Sequence, residues 1–150
     1  MAMMHVEQIR SEETHTLRHL VLWPHLTSPE ACVIDIDLRI DAMHFGVKYN
    51  DTIVAIGSFF QMDSPKIEAS NPYRLRAMAV HPEHRGKNFG QALIHAACEE
   101  LKQKKVDILW CDARIKAVSF YHRLGFHALP EVYEVPRIGP HQFMWKVIQP

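Results

Sequence analysis

Leu75-Arg76-Ala77-Met78-Ala79-Val80-His81-Pro82-Glu83-His84-Arg85-Gly86-Lys87-Asn88-Phe89-Gly90-Gln91-Ala92-Leu93 decides the reading of this chain. It opens as a strand, turns at Pro82, passes through a glycine-containing loop and enters a helix. A helix start leaves its first amides without intrahelical partners and carries about half a positive charge. Arg85 and Lys87 add two full charges beside it. Such a loop suits a phosphate or pyrophosphate, and Gly86 and Gly90 let the backbone approach it closely. A glycine turn carrying surface charges would give the same local pattern. The P-loop consensus fails because Gln91 follows Gly90, and the dinucleotide fingerprint fails because Gly86 and Gly90 stand four apart.

Downstream, Gly90 to Lys104 reads as a helix with Leu93, Ile94, Ala97 and Leu101 as its apolar stripe. Asp107 to Cys111 reads as a short buried strand, and Lys116 to Leu124 as a second helix closed by Gly125. Gln142 to Ile148 reads as a final strand, with Gly139-Pro140-His141 expected in the turn before it. Upstream, Tyr73 to Val80 is a strand, and residues 63 to 72 are a loop. His44 to Tyr49 and Thr52 to Phe60 form a hairpin about Asn50-Asp51. Val6 to Ile9 is a short strand. Ser11-Glu12-Glu13 starts a helix with Leu17, Leu20 and Val21 on its apolar face, and Pro24 ends it. Residues 26 to 30 are loop, and residues 31 to 38 fit no single element. A hairpin followed by alternating strands and helices gives an α/β fold with a sheet of mixed direction.

The chain's 150 residues suit a single domain spanning 1–150, large enough to need neither disulfide nor metal for stability. Lys plus Arg equal Asp plus Glu at 17 each, which gives no footprint for nucleic acid or a membrane surface. Three cysteines with no Cys-x-x-Cys spacing indicate free thiols and a cytoplasmic location. No signal peptide or membrane-length apolar run is expected. Eleven histidines raise the question of metal, but His15/His19 and His81/His84 supply pairs where zinc needs three or four converging ligands. The expectation is no metal.

Arg85-Gly86-Lys87-Asn88-Phe89-Gly90 resembles motif A of the GNAT acetyltransferase superfamily, Arg/Gln-x-x-Gly-x-Gly/Ala, with Asn88 in place of the first glycine. Asparagine tolerates a left-handed backbone better than most residues. Ala117-Val118-Ser119-Phe120-Tyr121-His122-Arg123-Leu124-Gly125-Phe126 is similar to the family's motif B, one helix and one strand further on. The resemblance covers residues 73 to 127. It implies a GNAT-type acyl-CoA N-acyltransferase fold, a mixed twisted sheet with splayed central strands and flanking helices. It also implies transfer of the acetyl group of acetyl-CoA to a primary amine of a small molecule or peptide, by direct attack, and it admits a homodimer.

Residue by residue, the resemblance assigns the cofactor to Met78, Ala79 and Val80 along the strand and to Arg85, Gly86, Lys87, Asn88, Phe89, Gly90 and Gln91 around the pyrophosphate. The Met78 amide would face the oxyanion, and Tyr121 would serve the leaving thiolate. A phenol near pH 10 and a thiol near 8.5 make full proton transfer uphill by roughly 2 kcal/mol, so Tyr121 is expected mainly to hydrogen-bond the sulfur. Arg74 and Arg76 alternate on one strand face and could hold an acceptor carboxylate, and His141 borders the acceptor region. The competing reading is a non-catalytic acyl-CoA-binding regulatory module, which would keep the loop and lack turnover.

Overall fold

Asn50 and Asp51 both adopt left-handed backbone, φ 51° and 68°, which is the mirror-image turn that a two-residue hairpin needs. The hairpin they close, β2 (Met43–Tyr49) with β3 (Thr52–Gln61), is the centre of the first of two compact units in the chain. The structure is a computed structural model and describes residues 3–149. One unit comprises residues 3–60 with Leu75–Glu100, and the other Gln61–Arg74 with residues 101–149.

In the first unit the strand order is β1-β2-β3-β4, with β1 at Met4–Ile9 and β4 at Tyr73–Val80. Strand β1 pairs antiparallel with β2 from Met4–Tyr49 to Ile9–His44. Strand β3 is buried continuously from Val54 to Phe60 because both of its faces are covered. Leu93, Ile94 and Ala97 of α2 (Phe89–Gln103) are buried as the stripe required.

The N-terminal helical segment departs from the expected apolar face. It begins as a tight 3-10 turn (Ser11–Thr14), has three α-helical residues, α1 (His15–Leu17), and widens into a π turn over Arg18–Leu22, where the Trp23 amide donates to the Arg18 carbonyl at 2.9 Å. The wider turn shifts the side-chain phase, so Leu17 and Arg18 are buried while Leu20 is half exposed. Arg18 donates to Asp37 through two nitrogens, at 2.7 and 2.9 Å, and to Ser58 Oγ and the Cys32 carbonyl, each at 3.0 Å. His44 Nε2 donates to the Asp37 carbonyl at 2.9 Å, which leaves Nδ1 to accept from Ser58 Oγ at 2.8 Å. This buried network organises residues 31–38, the stretch whose pattern fits no element: Ala31 closes a 3-10 turn (Pro29–Ala31), and residues 35–38 form linked turns.

In the second unit the order is β4-β5-β7-β6. Tyr73 and Arg74, the first residues of β4, pair in parallel with Leu109 and Trp110 of β5 (Ile108–Arg114). Strand β7 (Gly139–Val147) runs antiparallel to β5 and to β6 (His127–Val135). Strand β6 went unread in the sequence because Pro130 and two glutamates interrupt its pattern. Pro130 sits in the register shift between Ala128 and Val132, where the missing N–H costs the ladder nothing. The carboxylate of Asp107 anchors loop to strand by accepting from the amides of Ser70 at 2.7 Å and of Asn71 and Ile108 at 3.0 Å. Among the described residues no helix is long and apolar enough to cross a membrane.

Candidate functional site

The loop after β4 turns on left-handed residues. Gly86 and Asn88 take φ of 78° and 64°, with Lys87 between them outside the left-handed region. Asn88 therefore occupies the left-handed conformation that its residue type permits. The first helical hydrogen bond of α2 runs from the Ala92 amide to the Asn88 carbonyl at 3.0 Å, so the amides of Phe89, Gly90 and Gln91 lie ahead of the ladder. Arg85, Gly86, Lys87, Asn88 and Gln91 are exposed, while Phe89 and Gly90 are buried. Phe89 anchors the loop against the Tyr49 ring at 5.1 Å, and Lys87 Nζ lies 5.4 Å from the same ring's centroid. A Cβ on Gly86 would meet nothing within 4 Å, so it is the positive φ and not crowding that calls for glycine.

Strand β4 is not regular. Ala77 has φ 56°, a left-handed residue in mid-strand. A Cβ built on Gly57 would lie 3.2 Å from Met78 Sδ and 3.5 Å from Leu75 Cδ1, so these two side chains, three apart, share one face. In an unbroken strand, partners on one face are two or four apart. Ala77 is thus an inserted residue that resets the alternation, and Ala79 packs on Leu17 and Ile56. Gly57 makes room for this: its Cβ would also stand 3.0 Å from Leu93 Cδ2 of α2. Val80 follows, and its carbonyl accepts from Arg85 Nε at 3.3 Å, tying the loop back to the strand.

In the second unit, α3 (Val118–Arg123) follows a 3-10 turn over Ile115–Ala117. It ends where Gly125, φ 93°, donates to the His122 carbonyl at 3.0 Å and Phe126 to the Tyr121 carbonyl at 3.1 Å. This is the double closure expected of Gly125. Tyr121 is buried, its ring 5.2 Å from Phe126. Burial pushes its hydroxyl well above the ordinary phenol range; nearby Cys111 adds to the rise and Arg114 offsets part of it. It is therefore a neutral hydrogen-bond donor at any working pH.

Arg74 and His141 stand on the sheet of this same unit. Arg74 does not present an open guanidinium: it donates to Asp112 Oδ2 at 2.8 Å and to Met62 Sδ at 3.5 Å, and lies 4.9 Å from the centre of the Trp110 ring. The second oxygen of Asp112 accepts from the Tyr133 hydroxyl. His141 is not in a turn. It lies within β7, opposite Arg114 on β5 and Tyr133 on β6; the turn is at residues 136–138, where Arg137 has φ 69°. Gly139 and Pro140 resemble turn residues but pair with Val135 and Glu134 as the first rungs of the ladder. His141 Nδ1 donates to the Gly139 carbonyl at 2.8 Å, which leaves Nε2 as the basic nitrogen of the neutral ring.

The structure thus gathers Met78, Ala79, Val80 and the whole run Arg85–Gln91 in the first unit, together with Arg76, which is half-buried on β4. Tyr121, Arg74 and His141 belong to the second. Sequence reading missed Asp112, Tyr133 and Lys66 there. The alternation of Trp110 and Asp112 along β5 is the one signal that could have placed an acid on a sheet face. No disulfide joins Cys32, Cys98 and Cys111, and no group of three metal-ligating side chains converges among the described residues.

Comparison with known proteins gives the family. Residues 5–126 match the model of the acetyltransferase (GNAT) family. The chain is 35% identical over 147 residues, 98% of each chain, to the uncharacterized N-acetyltransferase YitI of Bacillus subtilis (strain 168). Its fold matches the crystal structure of Escherichia coli ElaA with a TM-score of 0.76 at 22% identity, covering 96% of this chain and 99% of that one. It matches an aminoglycoside 6'-N-acetyltransferase complexed with coenzyme A, also with a TM-score of 0.76, at 14% identity and covering 97% and 98% of the two chains. The chain belongs to the acetyltransferase (GNAT) family.

Proposed function

We propose that this GNAT-family chain, acting as a single domain over residues 1–150, transfers the acetyl group of acetyl-CoA to a primary amine of a small molecule or peptide. The observation that carries the reading is the loop Arg85–Gln91, with left-handed Gly86 and Asn88, two exposed cations and a helix start. These residues suit the pyrophosphate of CoA. The match to a GNAT protein complexed with coenzyme A supports the same donor.

The acceptor amine attacks the thioester carbonyl as its neutral form, having lost its proton to a base or to water. The carbonyl oxygen becomes an oxyanion that needs a donor. The Met78 amide, next to the left-handed Ala77, is assigned to it. The nitrogen, positively charged after the attack, gives up its second proton to a base or to water, and collapse breaks the carbon–sulfur bond and releases the CoA thiolate. Tyr121 donates a hydrogen bond to that sulfur; its raised pKa makes complete transfer unfavourable, so the thiolate takes its proton from solvent. Arg76, half-buried on β4, is a second candidate for an acceptor carboxylate beside Arg74, which Asp112 engages. His141 Nε2 is a candidate proton acceptor.

The test is incubation with acetyl-CoA and a panel of amines, following release of free thiol. Turnover with at least one primary amine is expected, together with CoA binding that weakens about tenfold in Arg85→Ala and Lys87→Ala proteins. CoA binding with no turnover on any amine would favour a regulatory module.

A further inference from the structure

The loop of the second unit makes a tight turn at Ser64–Ile67, where the amides of Lys66 and Ile67 donate to Ser64 Oγ and the Ser64 carbonyl at 3.2 and 3.3 Å. The turn holds out Lys66, whose ammonium lies 3.9 Å from the centre of the Tyr133 ring and 5.6 Å from that of Phe143. Glu131 Oε1 stands 3.8 Å from the same nitrogen. Both rings are within the range at which a cation is drawn to an aromatic face. Tyr133 is a better face than an ordinary phenol, because its hydroxyl donates to the Asp112 carboxylate and the ring gains electron density.

Lys66 pairs with Glu131 and Arg74 with Asp112; with Lys66 swung away, Glu131 loses that partner. Arg74 does not take its place, since it is committed to Asp112 and Trp110. An aromatic seat with a carboxylate at its rim suits another cation of the same kind. Lys66 holds it through contacts on a partly exposed side chain, which are weak ones.

We propose that Tyr133, Phe143 and Glu131 form an alkylammonium-binding seat that Lys66 fills in the free protein and that the acceptor's own ammonium takes over. The identity of that ligand as acceptor rests on the acetyltransferase reading above. An amine that attacks a thioester must be neutral, whereas this seat selects the charged form. The ligand class is therefore an aliphatic diamine or longer polyamine, with one nitrogen held as ammonium and another delivered for reaction.

Binding of 1,5-diaminopentane, followed by calorimetry and by the fluorescence of Trp110, which stacks on Phe143, tests the seat without turnover. Lys66→Met should bind it about tenfold more tightly than the natural protein. Glu131→Gln, at an exposed position, should weaken binding several-fold without disturbing the fold. Adding Tyr133→Leu to Lys66→Met should abolish the gain, while Tyr133→Phe should keep most of it. Unchanged affinity in Lys66→Met, or undiminished affinity in Glu131→Gln, overturns the proposal. In the thiol-release assay, Lys66→Met should raise kcat/KM for 1,5-diaminopentane about tenfold and leave that for 1-aminopentane unchanged, since a single nitrogen cannot both sit in the seat and react. Equal effects on both amines would overturn it. Diamine binding with no turnover would keep the seat and remove the acetyltransferase reading, so the two failures are distinguishable.

Discussion

Asn88 shows how a departure from a family pattern can preserve a physical requirement. Its φ of 64° is costly for most side chains and cheap for asparagine or glycine. Replacing it with glycine should change stability by less than about 1 kcal/mol and leave CoA affinity near its starting value. Asn88→Val should cost about 1–2 kcal/mol or shift the loop, and weaken CoA several-fold; thermal unfolding and calorimetry read both. Tyr121 makes a second prediction. Tyr121→Phe keeps the buried ring and removes the donor, so kcat should fall on the order of 10²-fold with CoA affinity little changed. Full turnover in that protein would remove Tyr121 from the chemistry.

Each element near the site owes its shape to one irregularity. In β4 the left-handed Ala77 resets the strand's alternation, and Ala77→Gly should be neutral or stabilising by up to about 1 kcal/mol, while Ala77→Val should destabilise. Helix α3 depends on Gly125, where any side chain would be strained at φ 93°. The π turn at Arg18–Leu22 buries a guanidinium, and a buried ion pair is costly to break but not to replace. Asp37→Ala should therefore cost about 3–5 kcal/mol in denaturant unfolding, and the double change Arg18→Met with Asp37→Leu considerably less. A double variant as unstable as the single one would show that the network contributes more than paired charges.

For the molecule as a whole, two carboxylates set the acid limb of stability. Burial would raise Asp37, but the hydrogen bonds from Arg18 and Ile34 and the charge of Arg18 outweigh it and hold it below the usual carboxylate value. Burial acts on Asp107 in the same direction, and the amides of Ser70, Asn71 and Ile108 outweigh it. A carboxyl lowered in the folded state contributes stability that is complete above its unfolded value, near 3.9, and is lost as pH falls through the folded one. The melting temperature should hold steady down to about pH 5 and drop below about pH 4. The drop should be shallower in Asp107→Asn, whose starting stability is lower. Equal slopes in the two proteins would exclude this assignment.

The amino-acid sequence alone carried the order of strands and helices, the hairpin turn at Asn50-Asp51, the stripe of α2 and the glycine-containing loop at Arg85–Gln91 that leads into it. These rest on local preferences: periodicity, residues that accept positive φ, and charges beside a helix start. It did not carry β6, the strand position of His141, the burial of Arg18, the partnership of Arg74 with Asp112, or the seat of Lys66 on Tyr133. Each of those depends on which residues from distant stretches come to face one another. Pairing across strands and the desolvation of charges are decided by packing, and no window along the chain contains both partners.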